Sequence, residues 1–224
     1  MCGILGSISN RFHFSEEDIK ILAHRGPDDQ GYFYEEGIML GHRRLSIVDL
    51  SSHGHQPMFT RDGRYCIVYN GEIYNHADLR KDLVQKGYKF CSTSDTETLL
   101  YGFAEYGISV VERLNGIFAF AVYDRTRKEV FIARDQMGVK PLYYYHKDGV
   151  FAFASEIKAF LSIPGFDKSI NTTALFYYLQ LLYSPGEGTP FTEVKKLLPG
   201  HYMTVNLSQD RYEIKQYFEV NFSI

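Results

Sequence analysis

Cys2 is the residue whose position in this chain could by itself support a covalent reaction. If the initiator Met1 is removed, one residue carries both a thiol and a free α-amine, which is a nucleophile with a base on its own backbone. The pKa of an α-amine is about 7.7–8.0, so roughly a third of it is neutral near pH 7.5 and can accept a proton. A cysteine near a chain end is more often only a small apolar residue, and the nucleophile therefore needs support from elsewhere in the sequence.

Five polar segments supply further candidate residues, and each falls at a predicted loop or strand end, where functional sites concentrate. A structural interpretation competes for some of them: Asn70-Gly71 could be a hairpin turn, and Asp95 could only support the start of a helix. The segments are His24–Asp29, Gly41–Asp49 followed by Gly54–Pro57, Asn70–Asn75, Ser94–Glu97 and Ala133–Tyr143.

Composition excludes several other classes of function. The 224 residues carry a net charge of −3 without a long basic run, so neither nucleic acid nor a membrane is an expected partner. His53 and His55 lack a second ligand pair at zinc-like spacing, and no metal site is predicted. Three cysteines are too few for a disulfide framework, which fits a reducing, cytoplasmic location.

Apolar periodicity predicts many strands, with helices between and after them. A strand directly after Cys2 would hold the terminus in a fixed place. Strands are predicted at Gly3–Ser9, Gly31–Tyr34, Gly37–Leu40, Tyr65–Tyr69, Gly116–Asp124, Val130–Arg134, Leu142–Tyr145, Val150–Phe153, Gly200–Asn206 and Tyr212–Val220.

Two central helices have recognisable starts and ends. Asn75 is predicted to cap the first helix, and Gly87 ends it. Ser94 begins a capping-box pattern at the start of the second helix, and Gly107 ends that helix. Further helices are predicted at Ser155–Leu161 and Thr172–Tyr183. The order along the chain is strands, a helix pair, more strands and then helices. This order indicates sheets packed together with helices outside, in the layered α+β class. The number of layers does not follow from the pattern.

Six motifs in order resemble the glutaminase domain of class II glutamine amidotransferases, and most closely that of glutamine-hydrolysing asparagine synthetases. The similarity runs from Cys2 to about Lys158 and continues more weakly to Asn206. Any one motif is weak evidence, whereas six in sequence are specific. They are Met1–Ile4, His24–Asp29, Gly41–Leu50, Asn70–Asn75, Ser94–Glu97 and Ala133–Tyr144.

The resemblance implies an α+β fold of the N-terminal-nucleophile hydrolase type, a four-layer αββα sandwich. Residues 2–206 would form the glutaminase domain, and residues 207–224 a terminal strand or linker towards an absent synthetase domain. The chain would therefore be the N-terminal part of a longer protein, with a free-standing glutaminase as the less favoured interpretation.

The resemblance also implies roles for particular residues. Cys2 corresponds to the nucleophile and its amine to the base, while Asn70 and the backbone N–H of Gly71 correspond to the oxyanion hole. Arg44 corresponds to the clamp on the α-carboxylate of glutamine, and Asp95 to the subsite for its α-ammonium. The remaining substrate-binding candidates are Leu45, Ile47 and Val48, which would shape the pocket, Glu72 beside Asp95, and Arg25 in the loop next to the nucleophile.

The implied activity is hydrolysis of L-glutamine to glutamate and ammonia through a γ-glutamyl thioester, with the ammonia used for asparagine synthesis. No cofactor is expected in this chain, because ATP and Mg²⁺ would bind only to the synthetase domain, whose Ser-Gly-Gly-x-Asp-Ser motif is missing. The expected partners are L-glutamine and that domain, and a homodimer is compatible with the resemblance. The alternatives are the glutaminase half of an amidotransferase that amidates a sugar or another carboxylate, and a binding or regulatory domain without hydrolysis.

Overall fold

A computed structural model describes residues 1–207, 209 and 211–221 of the chain, and these contain twelve strands and four α-helices. The strands are β1 (Gly3–Ile8), β2 (Asp29–Glu35), β3 (Ile38–Arg44), β4 (Met58–Phe59), β5 (Tyr65–Ile73), β6 (Gly116–Asp124), β7 (Glu129–Arg134), β8 (Tyr143–Lys147), β9 (Val150–Ala154), β10 (Val194–Lys196), β11 (His201–Asn206) and β12 (Arg211–Gln216). The α-helices are α1 (Glu16–Ile19), α2 (His76–Gln85), α3 (Asp95–Tyr106) and α4 (Thr172–Leu181), and short 3-10 segments cover Lys20–Leu22, Ser52–Gly54, Gly107–Arg113 and Ile157–Ser162.

The strands form two antiparallel sheets of six. The first sheet has the order β10-β8-β9-β1-β3-β2, and the second has the order β12-β11-β7-β6-β5-β4. β1 is an interior strand, because β3 pairs with it on one side and β9 on the other. The strand that follows Cys2 is therefore held from both sides along its length.

Three apolar clusters define four layers. The first cluster lies between the sheets, since it joins Ile4 and Leu40 of the first sheet to Val68 and Ala121 of the second. The second covers the outer face of the second sheet with α2 and α3. The third covers the outer face of the first sheet with α1 and the 3-10 segments near it. Because both faces of each sheet are covered, central strands such as β1 and β9 are buried along their whole length. The predicted αββα sandwich is confirmed.

The main difference from the sequence prediction concerns β5, which continues through Asn70 and Gly71 to Ile73. The hairpin-turn interpretation of Asn70-Gly71 is wrong, because β5 pairs with β6 without a break from Tyr65 to Ile73. A Cβ on Gly71 would lie 2.3 Å from the carbonyl oxygen of Ile117. The glycine is therefore needed for close strand pairing and not for a turn.

The helix caps also differ in detail. Asn75 does not cap α2 with its side chain, because its amide donates to the Arg113 carbonyl and accepts from the Asn115 N–H. Ser94 does cap α3, but Glu97 accepts hydrogen bonds from the backbone at Cys91 and Ser92 instead of completing a capping box. The helix predicted at Ser155–Leu161 is a 3-10 segment, and the strand predicted at Tyr212–Val220 is β12, Arg211–Gln216.

The C-terminal segment pairs with the domain as far as β12, which is the edge strand next to β11. The predicted boundary after residue 206 stays a prediction, and Ser208, Asp210 and residues 222–224 of the proposed linker lie outside the described residues. No helix in the described part of the chain is long and apolar enough to cross a bilayer. The same residues contain no group of three His, Cys, Asp or Glu side chains placed to bind a metal ion.

Candidate active site

The candidate site lies at one end of the space between the two sheets. Side chains two residues apart on a strand share a face. Cys2 follows the alternation of Ile4, which faces the second sheet, and Asn70 follows that of Val68, which faces the first. The thiol and the amide consequently approach the same cavity from opposite sheets, and both residues line it.

The thiol of Cys2 is half-buried and contacts the residue after β3. The N–H of Leu45 donates to Cys2 Sγ at 3.4 Å, and the thiol donates to the Leu45 carbonyl at 3.7 Å. Burial raises the pKa of the Cys2 thiol, whereas the Leu45 hydrogen bond, the positive N-terminus, Arg44 and Lys140 act to lower the same pKa. The pKa remains raised overall, so the resting thiol is protonated near neutral pH and needs a base for activation.

Asn70 presents an unused donor in this cavity. Its side chain is 1% exposed, and its Nδ2 is buried without a hydrogen-bond partner among the described residues. A buried amide donor without a partner costs about 1–3 kcal/mol. The donor is therefore placed for an acceptor that is not part of the resting protein.

The backbone N–H of Gly71 points to the same side of β5 as two neighbours with known partners. The N–H of Tyr69 donates to Gln56 Oε1 at 2.6 Å, and the N–H of Ile73 donates to Asp95 Oδ2 at 3.0 Å. Odd-numbered N–H groups of β5 thus face away from β6, because donors alternate along a strand. Gly71 lies between these two residues and also lines the cavity, so its N–H is directed to the same region as the Asn70 amide.

Arg44 is the last residue of β3, and its side chain is buried beside the cavity. It donates from Nη1 to the Ser51 carbonyl at 2.9 Å and from Nη2 to the Asp49 carbonyl. These bonds use two of the five N–H donors of a guanidinium. Gly54 leaves the space that the group occupies, since a Cβ there would lie 2.0 Å from Arg44 Nη2. The guanidinium is thus fixed in place with donors to spare for a carboxylate.

Asp95 is the first residue of α3 and places a buried carboxylate at the site. Its Oδ2 accepts hydrogen bonds from the Tyr69 hydroxyl at 2.7 Å and from the Ile73 N–H at 3.0 Å, and no described residue donates to its Oδ1. Burial and the adjacent Asp95 raise the pKa of Tyr69 well above its usual value, so the phenol stays protonated and keeps donating. The carboxylate is therefore fixed through one oxygen, while the other can accept from a ligand.

The structure brings nine of the ten predicted site residues to one cavity. Arg25 is the exception, because it lies behind the nucleophile: its Nε donates to the Cys2 carbonyl at 2.9 Å and its Nη1 donates to Glu156 Oε1 at 3.1 Å. Glu72, Ile47 and Val48 stand at the open rim and are exposed. The cavity, called the Cys2 cavity below, is lined by Met1, Cys2, Arg44, Leu45, Ile47, Val48, Asp49, Gly54, Gln56, Tyr69, Asn70, Gly71, Glu72, Ser94, Asp95, Thr96 and Lys140.

Sequence reasoning did not single out three further residues that line the same cavity, Gln56, Asp49 and Lys140. Gln56 connects β5 to α3, because it accepts from the Tyr69 N–H and donates to Thr96 Oγ1 at 3.2 Å. Asp49 holds the loop that anchors Arg44, and Lys140 adds a cation to the cavity. All three fall within the polar segments of the sequence, which is the only signal the sequence gives for them. Their contacts in the structure are what distinguish them from the other polar residues of those segments.

Comparison with known proteins identifies the family. A family described as "Glutamine amidotransferase domain" matches residues 1–218. This chain belongs to the glutamine amidotransferase domain family. Two asparagine synthetases are among its relatives. Asparagine synthetase [glutamine-hydrolyzing] 3 of Bacillus subtilis (strain 168) is 40% identical over 98% of the chain. Putative asparagine synthetase [glutamine-hydrolyzing] 2 of Methanocaldococcus jannaschii is 35% identical over 97% of the chain.

The amidotransferase domain spans only 37% and 46% of the length of those two relatives, respectively. Its fold matches the solved structure of glutamine phosphoribosylpyrophosphate amidotransferase from B. subtilis with a TM-score of 0.71 and 18% sequence identity. That match covers 97% of this chain and 49% of the solved one. At this identity the similarity establishes the fold, which agrees with the αββα layers described above.

Proposed function

We propose that this domain hydrolyses L-glutamine to glutamate and ammonia, with Cys2 as the nucleophile. The observation that carries the proposal is the placement of one thiol, one unpaired amide donor, one guanidinium and one carboxylate around a single cavity. A free amino acid with a side-chain amide has a matching group for each of them. The spare donors of Arg44 suit the α-carboxylate, and Oδ1 of Asp95 suits the α-ammonium.

The reaction then follows from the placement of the remaining groups. The α-amine of processed Cys2 takes the proton of the thiol, and the sulfur attacks the γ-amide carbon, so that a C–S bond forms and negative charge moves to the amide oxygen. Asn70 Nδ2 and the Gly71 N–H donate to that oxygen. The terminal amine returns the proton to the leaving nitrogen, the C–N bond breaks, and ammonia leaves a γ-glutamyl thioester.

Water completes the cycle. Its oxygen attacks the thioester carbon while the terminal amine accepts one of its protons, so that a C–O bond forms. The C–S bond then breaks, and the proton passes to the departing sulfur. Glutamate and the free thiol result. Met1 lines the Cys2 cavity and is 55% exposed, so its removal would both open the cavity and place the free amine on Cys2 itself.

We further propose that an ammonia-consuming synthetase domain is the partner and that asparagine is the product. The support is the greater length of the asparagine synthetase relatives. The α4 helix offers a surface for such a domain, because Phe176 and Leu179 are 56% and 72% exposed and only Ala174 of this helix is buried. An apolar surface of this kind is typical of an interface. ATP and Mg²⁺ would bind to the synthetase domain, and the free cysteines of this one suit the cytoplasm.

The test compares Cys2→Ser with Cys91→Ser, since Cys91 is an exposed cysteine outside the Cys2 cavity. The processed chain should release glutamate and ammonia from glutamine in equal amounts. Cys2→Ser should lose this activity by a factor of about 10³ or more, because the hydroxyl is a far weaker nucleophile, while Cys91→Ser should keep it. Intact-mass analysis after rapid acid quench should show the glutamyl adduct on Cys2 alone.

Glutamine binding without any turnover in the processed chain would favour the alternative of a binding domain. Hydrolysis that survives Cys2→Ser would refute the nucleophile. In a protein that joins this domain to a synthetase domain, Cys2→Ala should abolish asparagine formation from glutamine and leave asparagine formation from added ammonium unchanged. Amidation of a sugar or of a different carboxylate in that assay would replace asparagine as the product.

A further inference from the structure

Lys140 places a further cation in the Cys2 cavity, and the proposed reaction has given it no task. Its side chain is 9% exposed and lines the cavity together with Cys2 and Arg44. The structure gives its ammonium no hydrogen bond and no ion pair with any described residue. The ammonium is therefore not neutralised by an ion pair, and it can interact with negative charge that develops in the cavity during a reaction.

The backbone on both sides of Lys140 is fixed by two side chains, Asp135 and Arg134. Asp135, 1% exposed, accepts hydrogen bonds from the N–H groups of Val139 at 2.9 Å and Lys140 at 3.0 Å. Arg134 donates to the Lys140 carbonyl at 2.8 Å and to the Gly138 carbonyl at 2.7 Å. The loop after β7 is thus rigidly built and directs Lys140 to the cavity, which a freely solvated lysine would not require.

Negative charge develops at two atoms of the proposed reaction, and both lie in this cavity. The first is Cys2 Sγ when the thiol loses its proton, and the second is the amide oxygen of glutamine after the sulfur has attacked. We propose that Lys140 is a further electrostatic residue of the site, whose ammonium stabilises the negative charge on Cys2 Sγ and on that oxygen. The proposal rests on the proposed function, because it assigns a role within the same reaction.

The other cations around the sulfur have separate tasks in the proposed reaction, where the terminal amine is the base. Arg44 is held by two carbonyls of its own loop, and its remaining donors are assigned to the substrate carboxylate. The acidic side chains have the wrong sign for stabilising a thiolate. Lys140 is also among the groups that lower the pKa of the Cys2 thiol against the effect of burial. The titratable or charged groups that line the cavity, besides Cys2 and Lys140, are the terminal amine, Arg44, Asp49, Tyr69, Glu72 and Asp95.

The experiment measures the alkylation rate of Cys2 by iodoacetamide between pH 6 and 10, in a Cys91→Ser background so that no other exposed cysteine reacts. Lys140→Met removes the charge and keeps an unbranched side chain, and Lys140→Arg restores a cation. Lys168→Met is the matched control, since Lys168 is exposed and outside the cavity. Lys140→Met should alkylate on the order of tenfold more slowly near pH 7, with its pH midpoint moved upward, because one nearby charge has been lost.

Glutamine turnover provides the second readout. In Lys140→Met, kcat should fall about tenfold or more while KM changes by less than about threefold, and Lys140→Arg should recover most of kcat. An unchanged alkylation profile, or a change in KM alone, would overturn the proposal. If Lys140→Met does not fold by circular dichroism, Lys140→Gln takes its place. A chain without glutaminase activity would sink the proposed function, yet its alkylation profile would still test the effect of Lys140 on the thiol.

Discussion

At the level of single residues, the Cys2 cavity contains polar groups that the protein itself leaves without partners. Asn70 Nδ2 is buried and unpaired, Asp95 uses only Oδ2 within the protein, and Arg44 has donors to spare. Buried polar groups elsewhere in a folded protein are nearly always paired. One unpaired amide donor, one carboxylate with an unused oxygen and one guanidinium with spare donors therefore describe a ligand that supplies an acceptor, a cation and a carboxylate.

Replacing Asn70 with alanine should lower kcat by about 10²–10³, because one preformed donor to the oxyanion is lost. KM should change much less, since the donor acts mainly in the transition state. The free energy of unfolding should stay the same or increase, because the removed amide has no partner in the resting protein. Steady-state kinetics and urea unfolding measure these quantities.

Asn75→Ala is the matched control for this experiment. The amide of Asn75 is bonded to the Arg113 carbonyl and the Asn115 N–H, so this variant should lose stability and keep kcat. A destabilised Asn70→Ala variant with normal kcat would show that Asn70 is structural, and the oxyanion assignment would have to be given up.

At the level of elements, one loop between β3 and β4 connects the two sides of the site. Asp49 in this loop accepts hydrogen bonds from the N–H and hydroxyl of Ser51 through Oδ1, and from those of Thr93 through Oδ2. Its carbonyl also accepts from Arg44. Asp49 thereby ties the loop that anchors the guanidinium to the segment that leads into Asp95 and α3. The loop is thus a positioning element for both charged subsites.

Replacing Asp49 with asparagine should raise KM for glutamine about tenfold and leave the fold intact. The carboxamide can still accept from Ser51, but its NH₂ group would face the N–H of Thr93, and two donors cannot bond to each other. Hydrogen exchange should increase in the backbone between residues 45 and 51. Asp62→Asn is the control, because Asp62 holds a different turn through Thr60 and Arg64 and should leave KM unchanged.

The same bonds set a pH dependence of this loop. Hydrogen bonds from Ser51 and Thr93 lower the pKa of Asp49 below its usual value. The stabilisation from Asp49 is therefore fully present above the unfolded-state pKa of about 3.9 and is lost as pH falls towards the lower folded-state pKa. Exchange protection of the loop should accordingly decrease below about pH 4 in the wild type and stay flat there in Asp49→Asn. Equal profiles in both proteins would contradict the assignment.

At the level of the whole molecule, the site is divided between the two sheets. Cys2 directly precedes β1 and Arg44 ends β3, both in the first sheet, whereas Asn70 and Gly71 belong to β5 of the second. The distance between nucleophile and oxyanion donors is consequently set by the apolar layer that separates the sheets. The αββα architecture matters to the chemistry because this layer is close-packed and resists compression.

The sequence predicts the parts of this arrangement that have local signals. Alternation and turn residues locate most strands, and the capping residue Ser94 marks the start of α3. The four layers, and the grouping of the site residues around one cavity, were predicted from the family resemblance. Local sequence patterns do not determine the order of strands in a sheet, so they could not predict either. The turn interpretation of Asn70-Gly71 failed for that reason, since the continuation of β5 depends on its pairing with β6. Nothing in the local sequence distinguished Lys140 from the other polar residues of its segment. Its interest comes from its burial in the cavity that Cys2 also lines.

The spacing of the sheets can be tested with two valines of the second sheet that point in opposite directions. Val68 on β5 faces the layer between the sheets, and Val122 on β6 faces the helices; both are fully buried. Val→Ala at either position should lower the free energy of unfolding by about 1–3 kcal/mol, from lost burial and the cavity left behind. Urea unfolding measures whether the two losses match.

Only Val68→Ala should also impair catalysis. Asn70 shares a face of β5 with Val68, so relaxation of the layer between the sheets should move Asn70 relative to Cys2. Small misplacements of reacting groups reduce kcat strongly. We expect kcat to fall about tenfold in Val68→Ala and by less than about twofold in Val122→Ala. Equal losses of kcat in the two variants would mean that general stability limits turnover, whereas unchanged kcat in Val68→Ala would mean that the inter-sheet layer does not control the distance between the thiol and the oxyanion donors.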